Sequence, residues 1–243
     1  MKLKYIIPFA LLGIALFTLG SYRYTPYHGG MYMYESDGVV VVEEANSYHL
    51  LSDEDWQAGT NSGFTFTEGR QVDANIATET DNTVLRITTS AAHNLTTGDE
   101  VSISGANNAA HNGVTTVTVI DGTIFDCDNI NYAGNAGASA ALVCEGAYLQ
   151  LGTGGAGQFM LMWSISGASA NAAKNWKVEP FINSTEVDNA AGEMTPTGTA
   201  VQNCSGFGIV ELAVGDRVYL AMKNKSDGSN FNLEHANLVL FPM

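Results

Sequence analysis

The chain has 243 residues, of which 45% are hydrophobic and 9% aromatic, so it can bury a core and is not composed like a disordered protein. Only 14% of the residues are charged, and 20 Asn and 21 Thr take their place, which favours short strands and polar turns over a long helical bundle. The net charge of -15 leaves no cationic surface for nucleic acid, so DNA and RNA binding are not expected.

The N-terminal segment, residues 1–30, differs from the rest, because Lys2 and Lys4 precede an uncharged apolar run over residues 5–20. As a helix this run spans about 24 Å, which is less than the roughly 30 Å of a hydrocarbon core. It is therefore interpreted as a membrane anchor, an export signal or an arm buried against another protein. The side chains that form this anchor or arm are Tyr5, Ile6, Ile7, Phe9, Leu11, Leu12, Ile14, Leu16, Phe17 and Leu19.

Residues 31–67 predict the first strands of a sheet. The Ser-Asp-Gly turn at residues 36–38 separates two strand-like runs, which predicts a hairpin over residues 31–44. The acidic residues 52–55 predict the start of a short helix, and a metal site is the weaker alternative. Residues 63–67 alternate between polar and apolar side chains, as a half-buried strand does.

Residues 83–141 form a separable block of short strands, predicted at 84–88, 100–104, 114–120 and 123–127, with Gly-containing turns between them. This spacing is typical of a small barrel or sandwich. Three segments of the block, 93–101, 112–114 and 117–125, resemble a small β-barrel module of phage tail-fibre and other virion proteins.

Residues 145–243 contain the longest predicted strands. The runs lie at 147–151, 158–166, 176–183, 208–212, 216–223 and 232–241. The run from Phe159 to Trp163 is apolar on both faces, which predicts a strand covered on both sides. Six strands of this length indicate a two-sheet sandwich of jelly-roll type.

The order of motifs in this region resembles the jelly roll of tumour necrosis factor and complement globular heads, in the form that phage structural proteins use. The resemblance lies in residues 157–166, 176–183, 208–220 and 234–241, and above all in the Gly215-Asp216 turn between two strands. It implies an all-β chain in which residues 31–82 and 142–243 form the sandwich and residues 83–141 are an inserted small β-barrel. Residues 1–30 lie outside the resemblance.

The resemblance also implies a homotrimer that packs aromatic and apolar residues along a threefold axis. The interface candidates are Tyr148, Trp163, Phe181, Tyr219 and Phe241. The alternative for each is an ordinary core position within one protomer, because a strand directs every second residue inward.

No catalytic or nucleotide-binding motif is recognised, so we expect no enzyme activity, no cofactor and no metal. Asp126 and Asp128 are interpreted as a solvated acidic turn, with calcium binding as the alternative. The odd set Cys127, Cys144 and Cys204 contains no CxxC pair; three buried thiols are expected, with pairing of Cys127 and Cys144 as the alternative.

These patterns predict a non-enzymatic virion structural protein, most simply of a bacteriophage. It would be a trimeric surface component such as a capsid decoration, head fibre or spike. Its expected partners are copies of itself, other virion proteins such as the major capsid protein, a membrane contacted through residues 5–20, and a host-surface glycan or protein. The alternative function is a membrane-anchored or secreted cell-surface adhesin that binds a glycan or a protein; it would belong to the cell envelope, anchored with its bulk outside.

Overall fold

The computed structural model describes residues 27–33, 39–40, 45–51, 56–73, 76–134, 137–139, 142–170, 174–196 and 200–243. Within these ranges the chain is all-β, as predicted, and its two helices are single 3₁₀ turns at Ala109–His111 and Asp188–Ala190. In chain order the strands are Gly29–Met33 (β1), Val39–Val40 (β2), His49–Leu50 (β3), Gln57–Ala58 (β4), Phe64–Thr67 (β5), Arg70–Asp73 (β6), Ile76–Asn82 (β7), Val84–Thr89 (β8), Glu100–Ser104 (β9), Gly113–Val119 (β10), Ile124–Cys127 (β11), Gly137–Ser139 (β12), Leu142–Glu145 (β13), Tyr148–Leu151 (β14), Gly157–Ser169 (β15), Trp176–Ile182 (β16), Thr185–Glu186 (β17), Gly192–Met194 (β18), Gln202–Leu212 (β19), Arg217–Asn224 (β20) and Phe231–Pro242 (β21).

Two of the three sheets formed by the described residues make a sandwich. The six-stranded sheet has the order β19-β15-β21-β1-β4, with β2 also beside β21. The seven-stranded sheet has the order β17-β16-β20-β14-β5, with β18 beside β16 and β3 beside β20. All of these pairings are antiparallel, and the first strand lies next to the last, which is the wrapped connectivity of a jelly roll.

The core of the sandwich lies between these two sheets. Leu161 and Leu238 from the six-stranded sheet share one buried cluster with Leu149, Val178 and Leu220 from the seven-stranded sheet, and each is at most 1% exposed. Alternation places every second residue over 159–165 of β15 and 236–240 of β21 in this core, so burial of apolar surface holds the sheets together.

The third sheet is inserted between β5 and β14 and has eight strands in the order β12-β7-β8-β11-β10-β9-β13-β6. It has its own core, in which Leu85, Phe125 and Val143 are fully buried. Strands β8 and β13 are separated in the order by three others but share that core, so the sheet curls around it. The inserted sheet runs from Arg70 to Glu145 and is longer at both ends than the predicted block of residues 83–141.

The hairpin predicted over residues 31–44 is not formed by the described residues of that segment. Strand β1 pairs with residues 236–240 of β21, and β2 pairs with Phe231 and Asn232 of the same strand. Because β21 is 12 residues long, it offers both strands a partner in succession. The predicted helix at residues 52–55 lies outside the described residues.

Candidate assembly surface

The outer face of the six-stranded sheet carries a contiguous set of apolar side chains. In the register, Met160 of β15 lies between Ile209 of β19 and Phe241 of β21, and the next outward row is Phe207, Met162 and Val239. We call the set Met160, Met162, Phe207, Ile209, Val239 and Phe241 the apolar patch. Phe207 is 74% exposed, Ile209 52%, and Met160 and Phe241 are each 39% exposed.

The patch explains the doubly apolar run in β15. Phe159, Leu161 and Trp163 point into the sandwich and are at most 2% exposed, whereas Met160 and Met162 point outward. The sequence predicts that both faces of this strand are covered. The described residues cover its inner face and leave its outer face exposed. Contiguous exposed apolar surface is uncommon on a monomeric protein, so this face is the candidate assembly surface among the described residues.

Polar groups border the patch. Along the next row, the Asn237 side-chain amide donates to the Ser164 hydroxyl at 2.7 Å, and the Ser164 backbone N–H donates to the Asn237 side-chain oxygen at 3.2 Å. Farther along, the Tyr32 hydroxyl donates to the Gln57 side-chain oxygen at 3.1 Å. An apolar centre with a polar border is the usual anatomy of a protein–protein interface.

Packing beneath β19 accounts for the composition of that strand. Gly206 and Gly208 point inward, where an added Cβ would lie 2.5 Å from the Ala190 carbonyl oxygen and 2.9 Å from the Ala190 Cβ, respectively. The Trp163 indole N–H donates to that same carbonyl at 2.7 Å. The indole and the 3₁₀ turn leave no room for inward side chains, so the apolar bulk of this stretch of β19 lies outward at Phe207 and Ile209.

The structure places four of the five predicted interface candidates inside a single chain. Trp163 lies in the sandwich core, and Tyr148, Phe181 and Tyr219 form a second buried cluster; none of the four is more than 7% exposed. These four therefore match the core alternative and offer no surface to a partner. Phe241 is the one candidate that lies in the apolar patch.

Sequence reasoning did not single out the other patch residues. Met160 and Met162 had a usable signal, because they make the outer side of β15 apolar. Phe207 stands between two glycines and so breaks the strand pattern at that point. Its outward position follows only from the pairing of β19 with β15.

A buried charged network joins the inserted sheet to the sandwich. The Arg217 guanidinium contacts Asp99 at 3.0 Å and Glu100 at 3.2 Å, and it lies 4.8 Å from the centre of the Tyr148 ring. The Tyr219 hydroxyl donates to Glu100. Burial raises the pKa of Glu100, while the Tyr219 hydroxyl and Arg217 oppose the rise by stabilising its ionised form. The network fixes β9 of the insertion against β20 of the sandwich.

Both acidic residues of the predicted turn, Asp126 and Asp128, accept hydrogen bonds from neighbouring side chains. Asp126 accepts two hydrogen bonds from Arg86, at 2.6 and 2.8 Å, and Asp128 accepts one from the Thr118 hydroxyl at 2.8 Å. Asp126 lies within β11 and is only 8% exposed, so the interpretation as a solvated turn is wrong for this residue, whereas Asp128 is exposed in the turn that follows.

All three cysteines are buried thiols. Cys127 lies on β11 and Cys144 on β13, and β10 and β9 separate these strands in the sheet order. The structure therefore matches the expected thiols and not the alternative pairing of Cys127 with Cys144.

The predicted anchor or arm over residues 5–20 lies outside the described residues. Among the residues that are described, no helix has the length and apolar character needed to cross a bilayer.

No family model matches the chain, and no curated protein matches it in sequence. Solved structures with a similar backbone include three at low sequence identity. Eiger TNF from S. frugiperda is 7% identical over 90% of this chain and 94% of its own, with a TM-score of 0.38. PRD1 vertex protein P5 is 9% identical over 90% and 73%, with a TM-score of 0.36. Murine APRIL is 6% identical over 71% and 99%, with a TM-score of 0.30.

Proposed function

We propose that this chain is a non-enzymatic structural protein of a virion, a trimeric surface component that assembles through the apolar patch. The observation that carries the proposal is the exposure of this patch on an otherwise well-packed sandwich. The virion assignment rests on the two sequence resemblances, which both lead to phage structural proteins. A capsid decoration, a head fibre and a spike all fit this description.

Self-association follows from the energetics of the patch. Burying an exposed large apolar side chain is worth about 1.5–3 kcal/mol, so covering Phe207, Ile209, Met160 and Phe241 would contribute several kcal/mol per protomer. The described surface also carries isolated exposed apolar residues, such as Ile120 and Val214, which need no partner. A second copy supplies apolar surface of the same kind, and closed homo-oligomers are the common result.

The position of the patch supports a ring of subunits. Its two most exposed residues, Phe207 and Ile209, lie on β19, which is one of the two edge strands that the described residues give the six-stranded sheet. In a ring, the edge of one subunit packs against the face of the next. The ring closes when the rotation that relates neighbouring subunits is 360° divided by a whole number. A threefold ring is the arrangement that the jelly-roll resemblance implies.

The inserted sheet then serves as the outward part of the particle surface, and residues 5–20 attach the chain to a capsid protein or a membrane. The Arg217 network gives the insertion a fixed contact with the sandwich, as a rigid projection requires. The net charge of -15 keeps such a surface soluble and away from nucleic acid.

Sedimentation equilibrium of the full chain tests the oligomeric part of the proposal. We expect a mass of about three protomers of 25.8 kDa each. A species that stays monomeric at all accessible concentrations would contradict self-association, and a stable dimer would contradict the threefold arrangement.

The cell-surface adhesin is the second candidate, and the apolar run over residues 5–20 favours it. Cell fractionation with an antibody against the chain separates the two functions. A virion component accompanies purified particles, whereas an anchored adhesin accompanies cell envelopes in the absence of particles.

A further inference from the structure

Three carboxylates converge at the end of the seven-stranded sheet, where the cavity beside them also borders Ile209 of the apolar patch. Glu179 lies in β16, Glu186 lies in β17, and Asp188 opens the 3₁₀ turn that follows. Strands β16 and β17 form a tight antiparallel pair, which brings the three side chains together. One oxygen from each lies within 4.8 Å of the others.

Glu179 is not satisfied by its neighbours. It is fully buried, and its Oε2 atom accepts from the Tyr48 hydroxyl and contacts the Lys177 ammonium at 2.6 Å. Its other oxygen, Oε1, is also buried and has no hydrogen-bond partner among the described residues. A buried carboxylate oxygen without a donor or cation carries an uncompensated desolvation cost, so this atom indicates a missing positive ligand.

The neighbouring cations neutralise the cluster only in part. Lys177 bridges Glu179 and Asp188, at 2.6 and 3.5 Å, and is the one ammonium in contact with the described carboxylates of the cluster. The Lys223 ammonium lies 4.0 Å from the centre of the Tyr48 ring, and the hydroxyl of that tyrosine donates to Glu179. The three carboxylates carry three negative charges and Lys177 carries one positive charge, so the cluster keeps an excess of two negative charges.

Two members of the cluster border a cavity that is open to solvent. Glu186 and Asp188 line a cavity of about 410 Å³ together with Asn189 and Glu211. Glu179 is fully buried and does not line this cavity, so a hydrated ion that enters it meets Glu186 and Asp188 first. The cavity also adds the side-chain oxygens of Asn189 and Thr185 to the possible ligands.

We propose that Glu179, Glu186 and Asp188 bind a divalent cation, and that Ca²⁺ is the best fit. The ligands are hard oxygens, three of them from carboxylates, which suits Ca²⁺ and Mg²⁺ rather than softer metals. Ca²⁺ accepts six to eight oxygens in irregular geometry, whereas Mg²⁺ requires a near-ideal octahedron, and two of the three carboxylates lie on an exposed short strand and turn. The ion would meet the unpartnered Oε1 atom of Glu179, while the Lys177 ammonium on Oε2 opposes its binding as a like charge.

Isothermal titration calorimetry of the full chain with CaCl₂, after removal of metal by EDTA, tests the site. We expect one Ca²⁺ per protomer and a Ca²⁺-dependent rise in the unfolding temperature. The double variant Glu186→Gln/Asp188→Asn, which changes exposed residues and spares the buried Glu179, should weaken binding by about tenfold or more, because Ca²⁺ affinity follows the number of charged ligands. Glu68→Gln/Glu234→Gln makes the same charge change outside the cluster and should leave the affinity within about twofold.

Lys177→Gln gives a readout that a purely structural ion-pair cluster would not produce. Removing the competing ammonium should strengthen Ca²⁺ binding by about tenfold, because a like charge no longer occupies the site. If the substitution destabilises the apo chain, Ca²⁺ should raise its unfolding temperature by more than that of the wild type. Absence of Ca²⁺ binding to the wild type, or binding that the Glu186→Gln/Asp188→Asn variant retains, overturns the proposal.

Discussion

Replacing Phe207 by Ser should shift the assembly equilibrium without unfolding the protomer. A phenylalanine carries about 200 Å² of surface, so burying the exposed 74% of Phe207 is worth about 3 kcal/mol at about 20 cal/mol per Å². Phe207→Ser removes most of this contribution, about 2–3 kcal/mol per protomer and about 6–9 kcal/mol per trimer. The side chain makes little contact within its own chain, so the stability of the isolated protomer should change by less than about 0.5 kcal/mol.

The loss converts directly into concentrations. At about 1.4 kcal/mol per factor of ten, the trimer dissociation constant rises by about four to six powers of ten. Because the midpoint concentration of a monomer–trimer equilibrium varies as the square root of that constant, the midpoint rises by about 100- to 1,000-fold.

Sedimentation over a dilution series measures this midpoint. Ile120→Ser is the matched control, since Ile120 is 49% exposed but follows β10 in the inserted sheet, away from the patch. The control should leave the midpoint unchanged. An unchanged midpoint for Phe207→Ser, or an equal shift for Ile120→Ser, would refute the argument.

Three further predictions concern the stability of the protomer. Arg217→Met should lower the unfolding free energy by about 3–5 kcal/mol in urea, because Glu100 then stays buried without its cation, whereas Lys225→Gln breaks an exposed pair and should cost at most about 1 kcal/mol. Burial lowers the pKa of His49 to about 4, below its unfolded value of 6.5, so its stabilising contribution is complete above pH 6.5 and declines as the pH falls towards 4. His49→Leu should therefore remove about 3 kcal/mol of pH dependence between pH 6.5 and 4, measured as the difference from wild type, and an identical pH profile would contradict the assignment. Trp163→Phe loses the indole bond to Ala190 and should cost about 1 kcal/mol by the same urea assay, and a neutral result would show that the bond adds nothing.

The strands of the sandwich could be predicted because their apolar pattern is long and uninterrupted. Strand β16 differs from its predicted bounds by one residue at one end, and β20 and β21 differ from theirs by one residue at each end. In the inserted sheet, β9 has the predicted bounds. Strand β7 was missed, because its sequence IATETDN contains little apolar alternation. It is held by pairing with β8 and β12, and such tertiary contacts are not visible in a local pattern.

The apolar patch shows where pattern reasoning fails. Alternation tells which residues share a face of a strand, but it does not tell which face is the core until the partner strand and its register are known. Aromatic size pointed to Tyr148 and Tyr219, which fill the interior, whereas the outward face depends on Met160 and Phe207. The acidic cluster was missed for a similar reason, because only the tight β16–β17 pair brings its members together.

The concentration dependence of methionine oxidation at Met160 tests most directly whether other copies of this chain cover the patch. The full chain is treated with dilute peroxide at concentrations above and below the assembly midpoint, and the rate at Met160 is followed by peptide mass spectrometry. We expect Met160 to be protected in the assembled protein and to become reactive on dilution, and in Phe207→Ser to be reactive at both concentrations. A rate at Met160 that is fast and independent of concentration in the wild type would contradict the central claim.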